Sequence, residues 1–415
     1  MRTISEDALA DVLAVLPYAE PRVVCGGNAA VPRLLLRALD RAAARYRLFT
    51  LNAPAGVPDR DGVVHETPFV GAGTRHSPRL RYLPARLSLV PSMFTRTCPP
   101  DVVLVQTSMP TGGTVSLGVE VNILPAAIEA VRARSGIVVA QLNPRMPFTH
   151  GDGVLRTDEI DLAVEAGEPL DGPTRRGGGD PGVSAAIGDR VAHLVADGAT
   201  LQLGIGAVPD ATLSALRGRT GLRVWSEMIG DGVVRLQRSG QLDPDRAMVA
   251  SFLFGTAELY EWADHNPGLH VLRTERTNDP AVIARQPAMT AVNTALQVDL
   301  LAQANASRLP GRPGTAYSGF GGQTDFTVGA LHAAGGKAVI ALASWHPKAD
   351  ASTIVPLVDA VTSFQHSHIV TEHGTAAIWG SDSVEQARHL IHHAAHPHAR
   401  ASLADAAAQI GLTGV

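Results

Sequence analysis

Aromatic side chains are scarce in this sequence, at 4% of 415 residues, and cysteine occurs only twice. Two cysteines, Cys25 and Cys98, exclude a disulfide framework and a cysteine-built metal cluster. Both sit in apolar surroundings, and no neighbouring cation would lower the pKa of Cys25, so they read as buried thiols rather than nucleophiles. No apolar run reaches the roughly 18 residues that would suggest a membrane-spanning helix. The chain also lacks a basic tract. Its formal net charge is -4 and its pI is about 6.5, which leaves no electrostatic footprint for nucleic acid. The N-terminal stretch carries Glu6, Asp7 and Asp11 in a helical pattern, unlike a secretory or transit segment. These absences point to a cytoplasmic protein with no nucleic-acid or membrane partner. A G-x-S-x-G elbow and a Walker loop are missing as well.

Glycine (41) and proline (28) are in excess, together making about 17% of the chain against an average near 12%. The apolar fraction of 45% is ordinary, which argues for a packed core and against disorder. The glycines show no three-residue period, and the length suggests two domains.

Strand-like and helix-like runs alternate along the chain. Asp101–Gln106 and Gly136–Ala140 read as buried strands, with a proline-opened helix over Pro125–Arg132 between them. That order makes a βαβ unit and hence a parallel sheet. The segment 167–183 is rich in glycine and proline and has no periodicity, so it reads as a linker between a domain at 1–175 and one at 184–415. Beyond it, a helix is expected over Ala185–Val195, a strand at Thr200–Leu203 and a helix from Asp210 to Leu216. Later strands are expected at Leu222–Trp225, Lys337–Leu342 and His368–Thr371. A C-terminal helix would carry His389, His392, His393, His396 and His398. The i,i+4 pairs in this cluster have a spacing that can bind zinc, but no glutamate sits between them as in H-E-x-x-H. A solvated helix end is the simpler reading.

Three constellations have the character of a site. In Leu201–Asp210 a strand ends, Gly204 and Gly206 turn the chain, and a helix begins. That arrangement presents backbone N–H groups at a helix N-terminus. In Trp225–Gly232, Glu227 follows a short apolar strand. In a parallel sheet this places it at the end where ligands bind, as a nucleophile or base, or else as a surface or capping carboxylate. In Tyr317–Phe326, Gly319, Gly321 and Gly322 permit close approach of backbone to a ligand. Asn278, Lys348 and Glu372 are weaker candidates and fit ordinary loop or cap positions equally well.

Ordered blocks along nearly the whole chain resemble the acetyl-CoA hydrolase/transferase family, which includes 4-hydroxybutyrate and acetate CoA-transferases. They include DVVLVQTSMP (101–110), SLGVEVN (116–122), NPRMPFTHGD (143–152), LGIGAVPDATLSAL (203–216), SEMIGDGVV (226–234), NDPAVIARQ (278–286), YSGFGGQTDF (317–326) and IVTEHGTAAIWG (369–380). The resemblance implies two similar α/β domains with mainly parallel sheets, of the NagB/RpiA-like CoA-transferase fold, and an active site between them. It implies that Glu227 is the catalytic carboxylate, since the other candidate block carries Gln297. It further implies an oxyanion and CoA-binding set of Gln202, Leu203, Gly204, Ile205, Gly206, Gly321, Gly322 and Lys348, with Asn278 and Glu372 lining the same cleft. No metal and no permanently bound cofactor is implied. The substrates would be a coenzyme A thioester and a small carboxylic acid, and a homodimer is conceivable for this type of enzyme. Transfer of CoA, hydrolysis of acyl-CoA, and a non-catalytic CoA-binding role on the same fold all remain open at this level. The chain departs from the family pattern in three places: Lys348 is offset by a residue or so, Phe364–His368 replaces charged residues, and the loop over 175–182 is idiosyncratic.

Overall fold

The computed structural model describes residues 1–170, 172 and 180–415. Most of the expected linker, including the glycine run within 175–182, lies outside the described residues. Two compact units are present: Met1–Pro173 with Ala247–Thr277, and Thr174–Arg246 with Asn278–Val415. The sequence reading places one boundary at 167–183, whereas the chain passes between units three times. The inserted segment joins the first unit through strand pairing: Leu269–Val271 lies parallel to both Met248–Ala250 and His150–Gly151. In addition, the Ser251 carbonyl accepts the N–H groups of Val121 and Asn122.

The first unit is built on an eight-stranded parallel sheet. Its strands are β1 (Arg2–Thr3), β2 (Arg22–Cys25), β3 (Tyr46–Phe49), β4 (Val63–Thr67), β5 (Leu80–Tyr82), β6 (Val102–Thr107), β7 (Ile137–Leu142) and β8 (Leu162–Glu165). They are ordered β1-β8-β7-β6-β2-β3-β4-β5. Helix α1 (Glu6–Ala14) is capped by Ser5, and α2 (Leu124–Arg132) carries Pro125 in its first turn and joins β6 to β7. The expected βαβ unit is therefore present, with β6 and β7 paired in parallel along their whole length. Valine and leucine fill the core, with Tyr46, Phe49 and Phe94 fully buried among them. Phe49 and Phe94 meet edge to face at 5.2 Å. Cys25 and Cys98 are buried free thiols, and burial pushes Cys25 up to about 12.

The second unit has a six-stranded sheet of β9 (Thr200–Leu203), β10 (Arg223–Val224), β11 (Thr290–Asn293), β12 (Lys337–Ala341), β13 (His368–Thr371) and β14 (Gly374–Ala377). Their order is β10-β9-β11-β12-β13-β14. All neighbours are parallel except the closing hairpin β13–β14. Helices α3 (Pro181–Leu194), α4 (Ala207–Ala215), α5 (Asp231–Arg238) and α6 (Gln323–His332) accompany it. Asp180 caps α3 by accepting the N–H groups of Gly182 and Val183. The strand order reverses around β9, because β10 lies on one side of it and β11 on the other. Crevices for ligands form at such switch points, at the carboxyl ends of the strands. The residues that follow these ends are Gly204 after β9, Glu227 beyond β10, Ser344 beyond β12 and Glu372 after β13.

The C-terminal histidines do not share one helix. Helix α7 (Ser383–His389) passes into a wider π turn over Leu390–Ala394, and Pro397 opens a separate short turn. His389 and His393 stay near each other at 5.9 Å, whereas His396 and His398 pack against Trp345 instead. Among the described residues, no group of three or more histidine, cysteine, aspartate or glutamate side chains is arranged to hold a metal ion. Nor is any described helix long and apolar enough to cross a membrane.

Candidate active site

Glu227 owes its position to the residues before it. The pairing of β10 with β9 continues one step further, where Trp225 N–H donates to the Leu201 carbonyl at 3.1 Å. Buried Ser226 then donates its hydroxyl to the Leu203 carbonyl at 3.3 Å. The two bonds fasten this loop to the end of β9, beside the glycine turn, and Glu227 follows directly.

Two neutral donors reach the Glu227 carboxylate. Asn278 Nδ2 donates to Oε2 at 3.0 Å, and the Gly322 backbone N–H donates as well. Asn278 is fully buried, and the next residue, Asp279, caps the short helix Pro280–Ile283 by accepting the Ala281 N–H. Gly322 is the N-terminal capping residue of α6. A Cβ built on Gly322 would overlap both Glu227 Oε2 and Asn278 Nδ2. Close approach of backbone to carboxylate is therefore the physical reason for glycine at this position.

Glu227 is half-buried, and its pKa is pushed up to about 7. Burial is the main cause, and the negative charge of buried Asp325, in the first turn of α6, adds to it. The bonds from Asn278 and Gly322 oppose the shift. A carboxylate held this way is more basic than an ordinary glutamate but still largely ionised above neutral pH. It follows that kcat/KM should fall below a limb near pH 7. Asn278→Ala removes a donor to the charged form and should move this limb upward. Asp325→Asn removes a like charge and should move it downward. A pH profile of kcat/KM for the three proteins checks the order, and identical limbs would contradict it.

The turn after β9 supplies open backbone. Gly206 has φ of +121° with ψ of -176°, a combination that a side chain would strain, and it caps the N-terminus of α4. Nothing lies within 4 Å of a Cβ built on Gly204 or Gly206, so a ligand can approach the peptide groups there. The first N–H groups of α4 lack intrahelical partners by construction. Ile205 is exposed at 44%. Leu203 and Gln202 are buried, and the Gln202 side chain accepts from Asn293 Nδ2 at 3.3 Å, tying β9 to β11.

The remaining candidates stand differently. Glu372 accepts the N–H (2.9 Å) and the hydroxyl (2.5 Å) of Ser344, while its carbonyl accepts from Arg190. It thus clamps the ends of β12 and β13 together. Lys348 is exposed on the turn between Trp345–His346 and Ala351–Ser352, with no hydrogen bond or ion pair among the described residues. Gly321 is buried beside Gly322. The structure thus gathers Glu227, Asn278 and Gly322 into one hydrogen-bonded group, with Gln202 and Glu372 as ties between neighbouring strands.

Sequence reasoning did not single out Ser226 or Asp325 as site residues. Asp325 lies three residues after Gly322, a spacing that returns it to the same end of the helix, and this was the available signal. The first unit holds another buried carboxyl of the same kind. Glu120 accepts from Asn28 Nδ2 (2.8 Å), Asn122 Nδ2 (2.9 Å) and Gly27 N–H (3.3 Å), and burial pushes it up to about 7. A cavity of about 680 Å³ in that unit is bordered by Arg145, Phe148, Tyr260 and His265, and none of the sequence-derived candidates lines it.

Known proteins resemble this chain along most of its length. The acetyl-CoA hydrolase/transferase N-terminal domain matches residues 57–170, and the C-terminal domain of the same name matches residues 255–407. The 4-hydroxybutyrate coenzyme A transferase of Clostridium kluyveri is 39% identical over 82% of this chain and 80% of its own length. A succinyl-CoA:acetate/propanoyl-CoA:succinate CoA transferase of Fasciola hepatica is 34% identical over 92% of this chain and 83% of its own. Among solved structures, RipA from Yersinia pestis superposes with a TM-score of 0.90 at 27% identity, covering 99% of this chain and 98% of that one.

Proposed function

The chain belongs to the acetyl-CoA hydrolase/transferase family, and from that premise we propose that it moves CoA between a short acyl-CoA and a small carboxylic acid such as 4-hydroxybutyrate, with Glu227 as the nucleophile. It is an enzyme of the CoA-transferase or acyl-CoA hydrolase type. The observation that carries the reading is the Glu227 carboxylate itself. It is half-buried at the carboxyl edge of a parallel sheet and held by Asn278 and by the Gly322 N–H.

The chemistry needs little beyond these groups. Glu227 attacks the thioester carbonyl carbon, the C–S bond breaks, and CoA thiolate leaves a mixed anhydride behind. The thiolate then attacks the glutamyl carbonyl, the anhydride C–O bond breaks, and the donor's carboxylate departs. Glu227 now carries CoA as a thioester. An acceptor carboxylate runs the same steps in reverse and leaves as acyl-CoA, restoring Glu227. No proton is taken up or released in the balance, so a general base is not required. The protein must supply proximity and donors for the tetrahedral oxyanions. The Gly322 N–H and the open peptide groups from Leu203 to Gly206 are suited to this, and desolvation makes Glu227 a stronger nucleophile than an exposed carboxylate. Lys348, exposed and unpaired among the described residues, suits a phosphate of CoA.

The two halves of the reaction predict ping-pong kinetics. Transfer is favoured over hydrolysis because the relatives that cover most of this chain are named transferases. The test is thiol release from acetyl-CoA with and without a panel of short carboxylates. We expect a single-turnover quantity of free CoA at most without acceptor, and formation of the new acyl-CoA with it. Steady CoA release without acceptor would instead identify a hydrolase.

A further inference from the structure

The segment Phe364–His368 holds two histidines, His366 and His368, and the chemistry above uses neither. His366 is fully buried at 0% exposure. It reaches that position through a sharp turn, because Gln365 before it has φ of +60°, which is uncommon for a residue with a side chain. Phe364 and Gln365, adjacent in the turn before His366, are left exposed. A backbone strained to bury one imidazole points to a purpose for that ring.

The hydrogen bonds of His366 have a defined direction. Nδ1 lies 3.1 Å from the Ala302 carbonyl, which only accepts, so Nδ1 carries the proton. Burial lowers the pKa to about 4, so the ring is neutral and Nε2 is an acceptor. The Ser363 hydroxyl, 2.9 Å away, must then donate to Nε2. With its proton committed, Ser363 Oγ accepts from Gln323 Nε2 at 2.7 Å. The chain of bonds therefore runs one way, from Gln323 through Ser363 to His366 and the Ala302 carbonyl. Ser363 is buried at 1% and Gln323 at 8%, so water does not compete freely with these partners.

Gln323 is the first residue of α6, directly after Gly322. Thr324 beside it is held as well, donating to the Thr362 carbonyl at 2.9 Å. Thr362 and Ser363 are in turn bound to the backbone of Ala304 and Ala306. We propose that the Gln323–Ser363–His366 relay is a positioning device that fixes Gly322 against Glu227, and that His366 is its terminal acceptor. The proposal rests on the reading of Glu227 as the nucleophile with Gly322 as an oxyanion donor. When the relay is cut, the start of α6 drifts and the Gly322 N–H no longer meets the carboxylate or the oxyanion.

Two histidine substitutions separate this role from simple packing. His366→Gln places an amide oxygen near the Nε2 position and can still accept from Ser363. His366→Asn places its amide near Nδ1, so it keeps the Ala302 bond and loses the relay. We expect His366→Asn and Ser363→Ala each to lower kcat about tenfold or more with KM changed less than threefold. We also expect the acidic limb of kcat/KM to move above 7, because Glu227 loses a donor that favours its charged form. His366→Gln should recover most of kcat and return the limb. A merely structural role would lower the melting temperature without moving the limb or separating the two amides. If His366→Asn keeps wild-type kcat and limb, the proposal is overturned. Should that variant fail to fold, Ser363→Ala decides by the same criterion. Covalent labelling of Glu227 by acyl-CoA is measured in parallel. Labelling that persists in slow variants supports the relay, whereas absence of label in the unaltered protein overturns the nucleophile reading and the relay's stated purpose with it.

Discussion

Glu227→Gln should reduce transfer of CoA by at least ~10³-fold, corresponding to ~4 kcal/mol or more of lost transition-state stabilisation. An amide has nearly the size of the carboxylate and can turn its oxygen toward Asn278 Nδ2 and the Gly322 N–H, so the surroundings persist. What disappears is the nucleophilic oxygen. The same change should make the protein more stable at alkaline pH. The folded-state pKa of Glu227, about 7, lies above its ordinary value of 4.5. Below 4.5 the carboxyl is protonated whether the chain is folded or not, and its stability contribution is complete. Between 4.5 and 7 the unfolded chain gives up the proton while the folded one retains it, and stability declines. Above 7 the folded protein holds a poorly solvated charge. The glutamine variant avoids this, so it should exceed the parent by ~3 kcal/mol at pH 8 and nearly match it at pH 4.5. Denaturant unfolding at the two pH values checks the sign. An equal difference at both would show that Glu227 is not held as described.

Gly322→Ala should be nearly as damaging to catalysis and far less to the fold. The backbone at Gly322, with φ of -91° and ψ of 0°, is open to alanine without strain. Its Cβ, however, would occupy the place of Glu227 Oε2 and Asn278 Nδ2. The carboxylate has to swing away, and it leaves both donors behind. Removal of one oxyanion donor alone costs ~2.7–4 kcal/mol in enzymes where it has been tested by mutation. We expect kcat to fall ~10²-fold or more, with the melting temperature changed by only a few degrees. Activity within threefold of the parent would mean that Gly322 does not approach the nucleophile.

Much of the fold was legible in local pattern. The βαβ unit of β6, α2 and β7 follows from two buried apolar runs around a proline-opened helix, and the structure reproduces it within a residue or two. Helix α4 starts three residues earlier than expected, at Ala207. Gly206 turns the chain with positive φ, so the helix begins at once, and Pro209 is accommodated in its first turn, where its missing N–H costs nothing. The return of 247–277 to the first unit was not legible, since it depends on pairing with His150–Gly151, a long-range contact without local signature. The break after His389 has the same character, because the wider turn that follows is set by packing of Leu390, Ile391 and Ala394.

Within the site, Glu227 and the two glycine-rich turns were legible as candidates from their places in the strand pattern, but an ordinary turn or helix cap fitted those places as well, and only the family resemblance set Glu227 apart. Asn278 looked like an ordinary loop residue beside a helix cap, and its bond to Glu227 appears only in three dimensions. Asp325 and His366 were hidden for another reason. Asp325 acts on Glu227 by its charge and His366 bonds buried Ser363, and one sequence does not reveal which polar residues will be buried together.

The central claim is that Glu227 carries CoA covalently. Its most direct measurement is to mix the protein with acyl-CoA in the absence of acceptor, trap the intermediate with hydroxylamine or borohydride, and locate the change by peptide mass spectrometry. The account predicts a single modified residue, Glu227, and no modification in Glu227→Gln. A modification at any other residue, or steady turnover with Glu227 unmodified, would contradict it.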